Sequence, residues 1–368
     1  MAVRPLPPLT AIPAHLVSAA DYEAAATSHL DARAWAYLQG GAADEITLQE
    51  NIEAFRQLRL LPQMLNDLRG GHTAIELFGQ QMAHPIMLAP VAYQRLFHPA
   101  GELAVAQGAA AMQAGMVVSA FTSMSLPEIA AQTTSPLWFQ LYWQGSREAS
   151  LALVQLAEAN GCRGLMFTVD APVAGVRNRE QRAGFCLPPG IAAVHIENTA
   201  KTANGLPGGG GVFDTLMAAA PTWGDVAWLA GKTKLPIVLK GILHPLDVRR
   251  AIDVGAQGIV VSNHGGRVLD TVPATIELLP ALKTVAGDHL KILLDGGIRR
   301  GSDVFKALAL GADAVLVGRP AMHALAVAGA LGVAHLLRLL REELEVTMAL
   351  CGCRDIAAID AQFLLNPP

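Results

Sequence analysis

Short apolar runs recur along most of this chain. Each closes in a polar or glycine-rich corner and is followed by a helical pattern. Eight such runs are present: "PIMLAPVA" (85–92), "MVVSAF" (116–121), "LWFQLY" (137–142), "GLMFTVD" (164–170), "PIVLKG" (236–241), "GIVVSN" (258–263), "KILLDGG" (291–297) and "AVLVGR" (314–319). Each is too short for a helix, and most are rich in Val, Ile and Leu without polar alternation, as strands buried on both faces are. Helical segments such as "GELAVAQGAAAMQAG", "SREASLALVQLAEANG", "HPLDVRRAIDVG", "RGSDVFKALALG" and residues 322–350 lie between or after them, several ending in Gly. Eight successive βα units predict an α/β fold of the (β/α)8 TIM-barrel class. An open doubly wound sheet is the rival, but no G-x-G-x-x-G follows any of the runs.

Two segments fall outside the repeat. Residues 1–84 predict a helical extension packed on the barrel, beginning with "SAADYEAAATSHLDARAWAYLQG" and "TLQENIEAF"; residues 85–368 form the barrel itself. Residues 183–222 are a long insertion after strand four containing "GLPGGGG". A loop of that length in a compact domain is usually functional or disordered, and we read it as an active-site lid.

Composition narrows the function classes. The 368 residues are 52% hydrophobic and 16% charged, with a net charge of −4. That suffices for a large core and offers no basic stripe for nucleic acid. The four cysteines (Cys162, Cys186, Cys351 and Cys353) form no C-x-x-C pair, and no histidine cluster has zinc spacing, so no metal site is expected. The N-terminal "MAVRPLPPLTAIPAHL" lacks the apolar core of a signal peptide. No apolar run of membrane-spanning length is free of Gly, Pro or charge. The expectation is a soluble cytoplasmic protein with reduced thiols.

In such a barrel the active site lies at the C-terminal ends of the strands. The polar residues there are Ser119, with Phe121 beyond it; Gln140 and Tyr142; Thr168 and Asp170, with Arg177 after; Lys240; Ser262, Asn263, His264 and Arg267; Asp295, Gly296, Gly297 and Arg299; Gly318 and Arg319. Singly each has a bland reading: Asp170 as a helix N-cap, Gly296 and Gly297 as a turn, His264 as a structural histidine. Together, several cations converging on one rim imply bound anions. Two anion sites separate. "DGGIRRG" and "VGRP" bring glycine amides to Arg299 and Arg319, the usual phosphate position of a barrel. Arg177 and Arg267 lie near His264 and suit a small carboxylate. A phosphate-anchored cofactor and a carboxylate meeting at a general base suggest redox chemistry beside the carboxylate. This reasoning does not separate a flavin from a phosphorylated substrate.

"SNHGGRVLD" (262–270) resembles the signature S-N-H-G-G/A-R-Q-L-D of the FMN-dependent L-2-hydroxy-acid oxidising family, which includes glycolate oxidase, lactate oxidase, mandelate dehydrogenase and hydroxymandelate oxidase. "WFQLYW", "FTVDAP", "PIVLKGI", "LLDGGIRRGSDVFKALALGA", "VLVGRP" and "VTMALCGC" match in order and spacing, covering about residues 20–355. The resemblance implies FMN as cofactor and His264 as the base, with Asp170 paired to it. It implies that Arg177, Arg267 and Tyr37 hold the substrate carboxylate, and that Tyr142 bonds the substrate hydroxyl. Lys240 would face the flavin edge where negative charge grows. Ala92, with Pro90 and Val91 before it, would contact the isoalloxazine ring together with Ser119, Gln140 and Thr168, with Ser262 at the end of strand six. Asp295, Gly296, Gly297, Arg299, Gly318 and Arg319 would hold the ribityl phosphate region.

Departures from the family pattern bear on the substrate. Phe121 stands where plant glycolate oxidase has tryptophan over the substrate, Val176 replaces a second arginine, and Val268 replaces the signature Gln. "APVAYQRLFHPAGELA" is particularly similar to hydroxymandelate oxidases, and Tyr93 and Phe97 are either lining for a larger side chain or strand-end packing. We therefore expect an aromatic or lactate-type L-2-hydroxy acid. The insertion carries few basic residues, which argues against a membrane or quinone partner, and no haem domain precedes the barrel. Molecular oxygen is the expected acceptor, giving hydrogen peroxide, and the resemblance implies a homo-oligomer, tetramer or octamer. The rivals are a dehydrogenase using another acceptor, a non-redox barrel enzyme acting on a phosphorylated substrate, and a silent binding barrel.

Overall fold

The computed structural model describes residues 4–196 and 212–366. Eight parallel strands close into a barrel in chain order: β1 (Ile86–Leu88), β2 (Met116–Ser119), β3 (Leu137–Leu141), β4 (Leu165–Thr168), β5 (Ile237–Ile242), β6 (Gly258–Val261), β7 (Lys291–Leu294) and β8 (Ala314–Val317), with β8 pairing back to β1. Seven strands fall within their apolar runs, and β5 extends one residue past its run, to Ile242. The open-sheet rival is excluded by this closure.

Alternation along the strands sorts the core into two layers. Met87, Val117, Trp138, Met166, Val238, Val260, Leu293 and Leu316 belong to one buried cluster that fills the barrel interior. Their neighbours, such as Ile86, Val118, Phe139, Phe167, Leu239 and Ile292, belong to a second cluster shared with the surrounding helices. Both faces are therefore apolar, which is why the runs lack polar alternation. The hairpin Ile75–Leu77/Gln80–Met82 closes the bottom, where Phe78 packs on Trp138 at 5.2 Å between ring centroids.

The N-terminal helices are α1 (Ala19–His29), α2 (Ala32–Gln39) and α3 (Ile46–Gln57). Ser18 and Asp31 cap the first two by accepting from backbone N–H groups in the first turn. Their buried residues, including Tyr22, Leu38 and Phe55, join the outer barrel core. The start of α3 is held from a distance, since Asp270 accepts from Asp44 N at 3.0 Å and Thr47 N at 2.9 Å. Asp270 closes the "SNHGGRVLD" stretch, so this carboxylate ties the extension to the loop after β6.

The last barrel helix, Arg319–Cys351, is long and apolar enough to cross a membrane by length and composition, and 67% of its most apolar window is buried in the fold. It is two helices broken at Ala328 and Gly329, whose backbones leave helical geometry. Its apolar face packs against α1 and the helix Gly101–Ala111, so its hydropathy is that of a core helix.

Candidate active site

The interior cluster ends where the chemistry begins. Two residues beyond each apolar inward position stands the next inward one: Ala89, Ser119, Gln140, Thr168, Lys240, Ser262, Asp295 and Gly318. The six polar members of this layer are all buried. Five of them bond to one another along the ring. Ser119 Oγ donates to Gln140 Oε1 at 3.0 Å, Lys240 Nζ donates to Ser262 Oγ at 2.9 Å, and Lys240 Nζ lies 3.1 Å from Asp295 Oδ2. Burial works against the Lys240 charge, but the Asp295 and Asp170 carboxylates outweigh it and hold the amine above its ordinary range.

Above this layer opens a cavity of ≈520 Å³, within the range of small-ligand sites. His264 stands at its edge. Its Nδ1 is 2.9 Å from Asp170 Oδ1 and its Nε2 is 3.2 Å from the Tyr142 hydroxyl. Burial is the largest influence on the imidazole and lowers its pKa, while Asp170 pulls the other way. For Asp170, burial would raise the carboxyl, but its coupling and hydrogen bond to His264 and the nearby Lys240 charge together lower it. The pair is therefore a neutral imidazole on an ionised carboxylate at neutral pH, with Nε2 basic and facing the cavity.

The backbone here is unusual. His264, Gly265 and Gly266 have φ of 58°, 63° and 72°, three consecutive residues in the left-handed region. Such a conformation costs an L residue energy and persists only where surroundings over-determine it. The surroundings do so. His264 N donates to Ser262 Oγ at 3.1 Å, Ala42 N donates to Gly266 O at 2.7 Å, and Arg319 donates to the carbonyls of Gly265, Leu38 and Gly40.

Arg177 and Arg267 meet as expected, but a third residue lies between them. Glu180 Oε1 accepts from Arg267 Nη2 at 3.0 Å and from Arg177 Nη1 at 3.3 Å. Arg267 Nη1 is also committed, donating to the carbonyls of Tyr37 and Gly40 at 2.7 Å each, with its guanidinium 5.1 Å from the Tyr37 ring. Arg177 Nε is buried and lacks a partner among the described residues. Arg177 and Arg267, expected to hold a carboxylate, thus stand together at the cavity already paired through Glu180, with Arg267 tied to the extension as well.

Most of the expected site residues line this cavity: Tyr37, Pro90, Val91, Ala92, Ser119, Phe121, Tyr142, Thr168, Arg177, Lys240, His264, Arg267, Asp295, Gly296, Gly297, Arg299, Gly318 and Arg319. Gln140, Asp170 and Ser262 stand behind it, bonded to residues that do. An aromatic wall rises on one side, with Phe121 stacked between Tyr93 at 5.9 Å and Tyr142 at 4.9 Å. Phe97 is buried behind it and stacks on Tyr37, so of the two aromatics weighed as lining only Tyr93 faces the cavity. The sequence reading missed Glu180, and it missed Phe185 and Leu187, which bring the start of the insertion over the cavity. Phe185 stacks on Tyr37 at 4.6 Å. Residues 197–211 of the expected lid lie outside the described residues.

Comparison with known proteins decides between a flavin and a phosphorylated substrate. The model of the FMN-dependent dehydrogenase family matches residues 26–366. The chain belongs to this family. It is 49% identical to an L-lactate oxidase of Roseobacter sp. (strain GAI101), over 95% of this chain and 94% of the relative. It is 47% identical to a 4-hydroxymandelate oxidase of Amycolatopsis orientalis, over 93% and 96%. A solved mandelate oxidase variant with (S)-mandelic acid superposes with a TM-score of 0.87 at 45% identity, covering 95% of this chain and 98% of that one. The family is FMN-dependent, and FMN is the cofactor.

The residues present fit FMN. Gln140 Nε2, a donor, and Asp295 Oδ1, an acceptor, are buried without partners among the described residues, and both belong to the inward layer beneath the cavity. Gly296 and Gly297 have φ of 91° and 90°, exposing backbone in a conformation open to glycine. Arg319 is pushed well below its ordinary range by burial and by the charges of Arg267 and Arg299. That crowding of like charge at the end of β8 favours a dianionic phosphate there.

Proposed function

We propose that this family member oxidises an L-2-hydroxy acid to the 2-oxo acid, with molecular oxygen as the final acceptor and hydrogen peroxide as co-product. Two electrons and two protons leave the substrate, and oxygen takes up both. FMN, when bound, supplies the two-electron acceptor. The observation that carries this reading is the juxtaposition of the His264 imidazole, the Tyr142 hydroxyl and the Arg177–Arg267 pair on one cavity.

The chain's own residues divide the work. Arg177, with Arg267 and the Tyr37 hydroxyl, binds the substrate carboxylate. Tyr142 orients the substrate hydroxyl. His264 takes a proton from the substrate, and Asp170 stabilises the imidazolium that results. Lys240 places positive charge where reduction adds negative charge to the flavin. Pro90, Val91, Ala92, Ser119, Gln140, Thr168 and Ser262 surround the ring. Asp295, Gly296, Gly297, Arg299, Gly318 and Arg319 hold the ribityl phosphate.

The Tyr93–Phe121–Tyr142 wall supports an aromatic 2-hydroxy acid of the mandelate type, with lactate-type acids also accommodated. Anaerobic mixing of holoenzyme with L-mandelate, L-4-hydroxymandelate and L-lactate tests this by bleaching of the flavin absorbance. Re-admitted oxygen should restore the colour and release peroxide. A bleached flavin that oxygen leaves bleached would make the enzyme a dehydrogenase with another acceptor.

Two further readings belong to the proposal. The protein is a homo-oligomer, tetramer or octamer, supported by the exposed Met64, Leu65, Val346 and Leu350. Hydrogen bonds from Gln63 to Cys351 and from Asn66 to Gly352 join the two segments that carry them. Light scattering of holoenzyme tests it. The protein is cytoplasmic, supported by four free cysteines, of which three are buried thiols. Fractionation of the source cells tests that.

A further inference from the structure

Glu180 is a charged side chain that the chemistry of substrate oxidation does not require. It sits on the short helix Asn178–Arg182, and its side chain is 1% exposed. Both its oxygens face guanidiniums: Oε1 accepts from Arg177 and Arg267, and Oε2 lies 3.4 Å from Arg177 Nη1. An ion pair buried this deeply persists when its geometry is good and its remaining lone pairs are met. Here one carboxylate is shared between two guanidiniums, leaving a single net positive charge at the cavity wall. One incoming carboxylate then neutralises the site, and a second would be left uncompensated in a poorly hydrated pocket.

We propose that Glu180 is a positioning residue that sets the net charge of the carboxylate site and thereby selects monocarboxylates over dicarboxylates. The proposal rests on the reading that Arg177 and Arg267 receive the substrate carboxylate. Glu180 acts through the arginines in two ways. It draws Arg177 Nη1 and Arg267 Nη2 to one point at the cavity wall. It also cancels one of two like charges that would otherwise repel across the cavity.

The test uses holoenzyme and a matched pair of probes, propanoate and malonate, which differ by one carboxylate on a three-carbon frame. Binding is read by perturbation of the flavin spectrum and by calorimetry, without turnover. Wild type should bind propanoate more tightly than malonate. Glu180→Gln, which keeps the size and removes the charge, should shift the malonate-to-propanoate affinity ratio towards malonate by about tenfold or more, as one unit charge within contact distance at intermediate dielectric allows. Glu180→Asp, which keeps the charge, should leave the ratio near the wild-type value. Flavin retention and urea unfolding of each variant confirm that the ratio is read on folded holoenzyme, and Glu180→Asp keeps the comparison informative if the Gln variant does not fold. A ratio unchanged in Glu180→Gln, or shifted as far in Glu180→Asp as removal of the charge requires, overturns the proposal. Wild type that binds neither probe overturns the underlying reading of the arginine pair as well, and the two failures are thereby distinguishable.

Discussion

The imidazole Nδ1 of His264 lies 2.9 Å from Oδ1 of Asp170, and burial holds His264 below its ordinary pKa of 6.5 while Asp170 pulls it up. The neutral form is the base, so the rate of flavin reduction should fall as pH drops through that lowered value and stay flat above it. Asp170→Asn removes the largest upward influence. Its acid limb should therefore move to still lower pH, while the plateau falls by roughly a hundred- to ten-thousand-fold because the imidazolium loses its partner. Anaerobic stopped-flow reduction across pH measures both. An acid limb that moves upward would contradict the charge relationship.

Gly241 is the support behind Asp170. It sits at φ 107°, where the β5–β6 pairing shifts register between Lys240 and Ile242, and a Cβ there would run into Asp170 Cβ and Cγ. The irregularity after Lys240 clears room for the Asp170 carboxylate beside the strand. Gly241→Ala should cost roughly 1–3 kcal/mol of stability from the positive φ alone. It should also slow flavin reduction while FMN stays bound. Chemical denaturation and reduction kinetics on the same preparation separate the two effects, and a variant with normal kinetics would show that Asp170 has slack.

Much of the fold and of the ring layer was legible in the chain. Runs such as "GLMFTVD" and "PIVLKG" lack polar alternation because both strand faces are covered, and period two then places Thr168 and Lys240 inward, two positions past Met166 and Val238. Glu180 was not legible. In "NREQR" it reads as one charge on a solvated helix face, and its burial comes from Arg267, 87 residues away in sequence. The role of the N-terminal extension was also hidden, because it acts through backbone carbonyls. Leu38, Tyr37 and Gly40 accept from Arg319 and Arg267, and no side-chain pattern marks a carbonyl for that purpose.

Lys240 and Asp295 form a buried pair, with side chains 5% and 10% exposed. Removing one partner strands the other charge away from water. Lys240→Met should destabilise the apoprotein by roughly 3–5 kcal/mol, and the double variant Lys240→Met/Asp295→Asn should recover part of that loss. Urea unfolding of the four proteins in the cycle measures it. No recovery in the double variant would mean that Lys240 stabilises through its stem or Ser262 rather than through Asp295.

Phe121 is the middle ring of the aromatic wall, stacked on Tyr93 and on Tyr142. Tyr93 is itself held at φ 53°. Glu102 fixes this corner by accepting from Gln94 N and Ser123 N, at 3.1 and 2.8 Å, so one carboxylate ties the loops after β1 and β2. A flat wall fixed in this way favours a flat substrate side chain, since aromatic pairs add to simple area burial. Phe121→Leu keeps the wall apolar and removes its central ring. It should lower kcat/KM for L-mandelate relative to L-lactate by roughly two- to tenfold, the worth of one or two lost aromatic contacts. The ratio is the informative quantity, because disturbance of Tyr142 would depress both substrates together. Equal losses on mandelate and lactate would assign the wall to positioning Tyr142 instead of choosing the substrate.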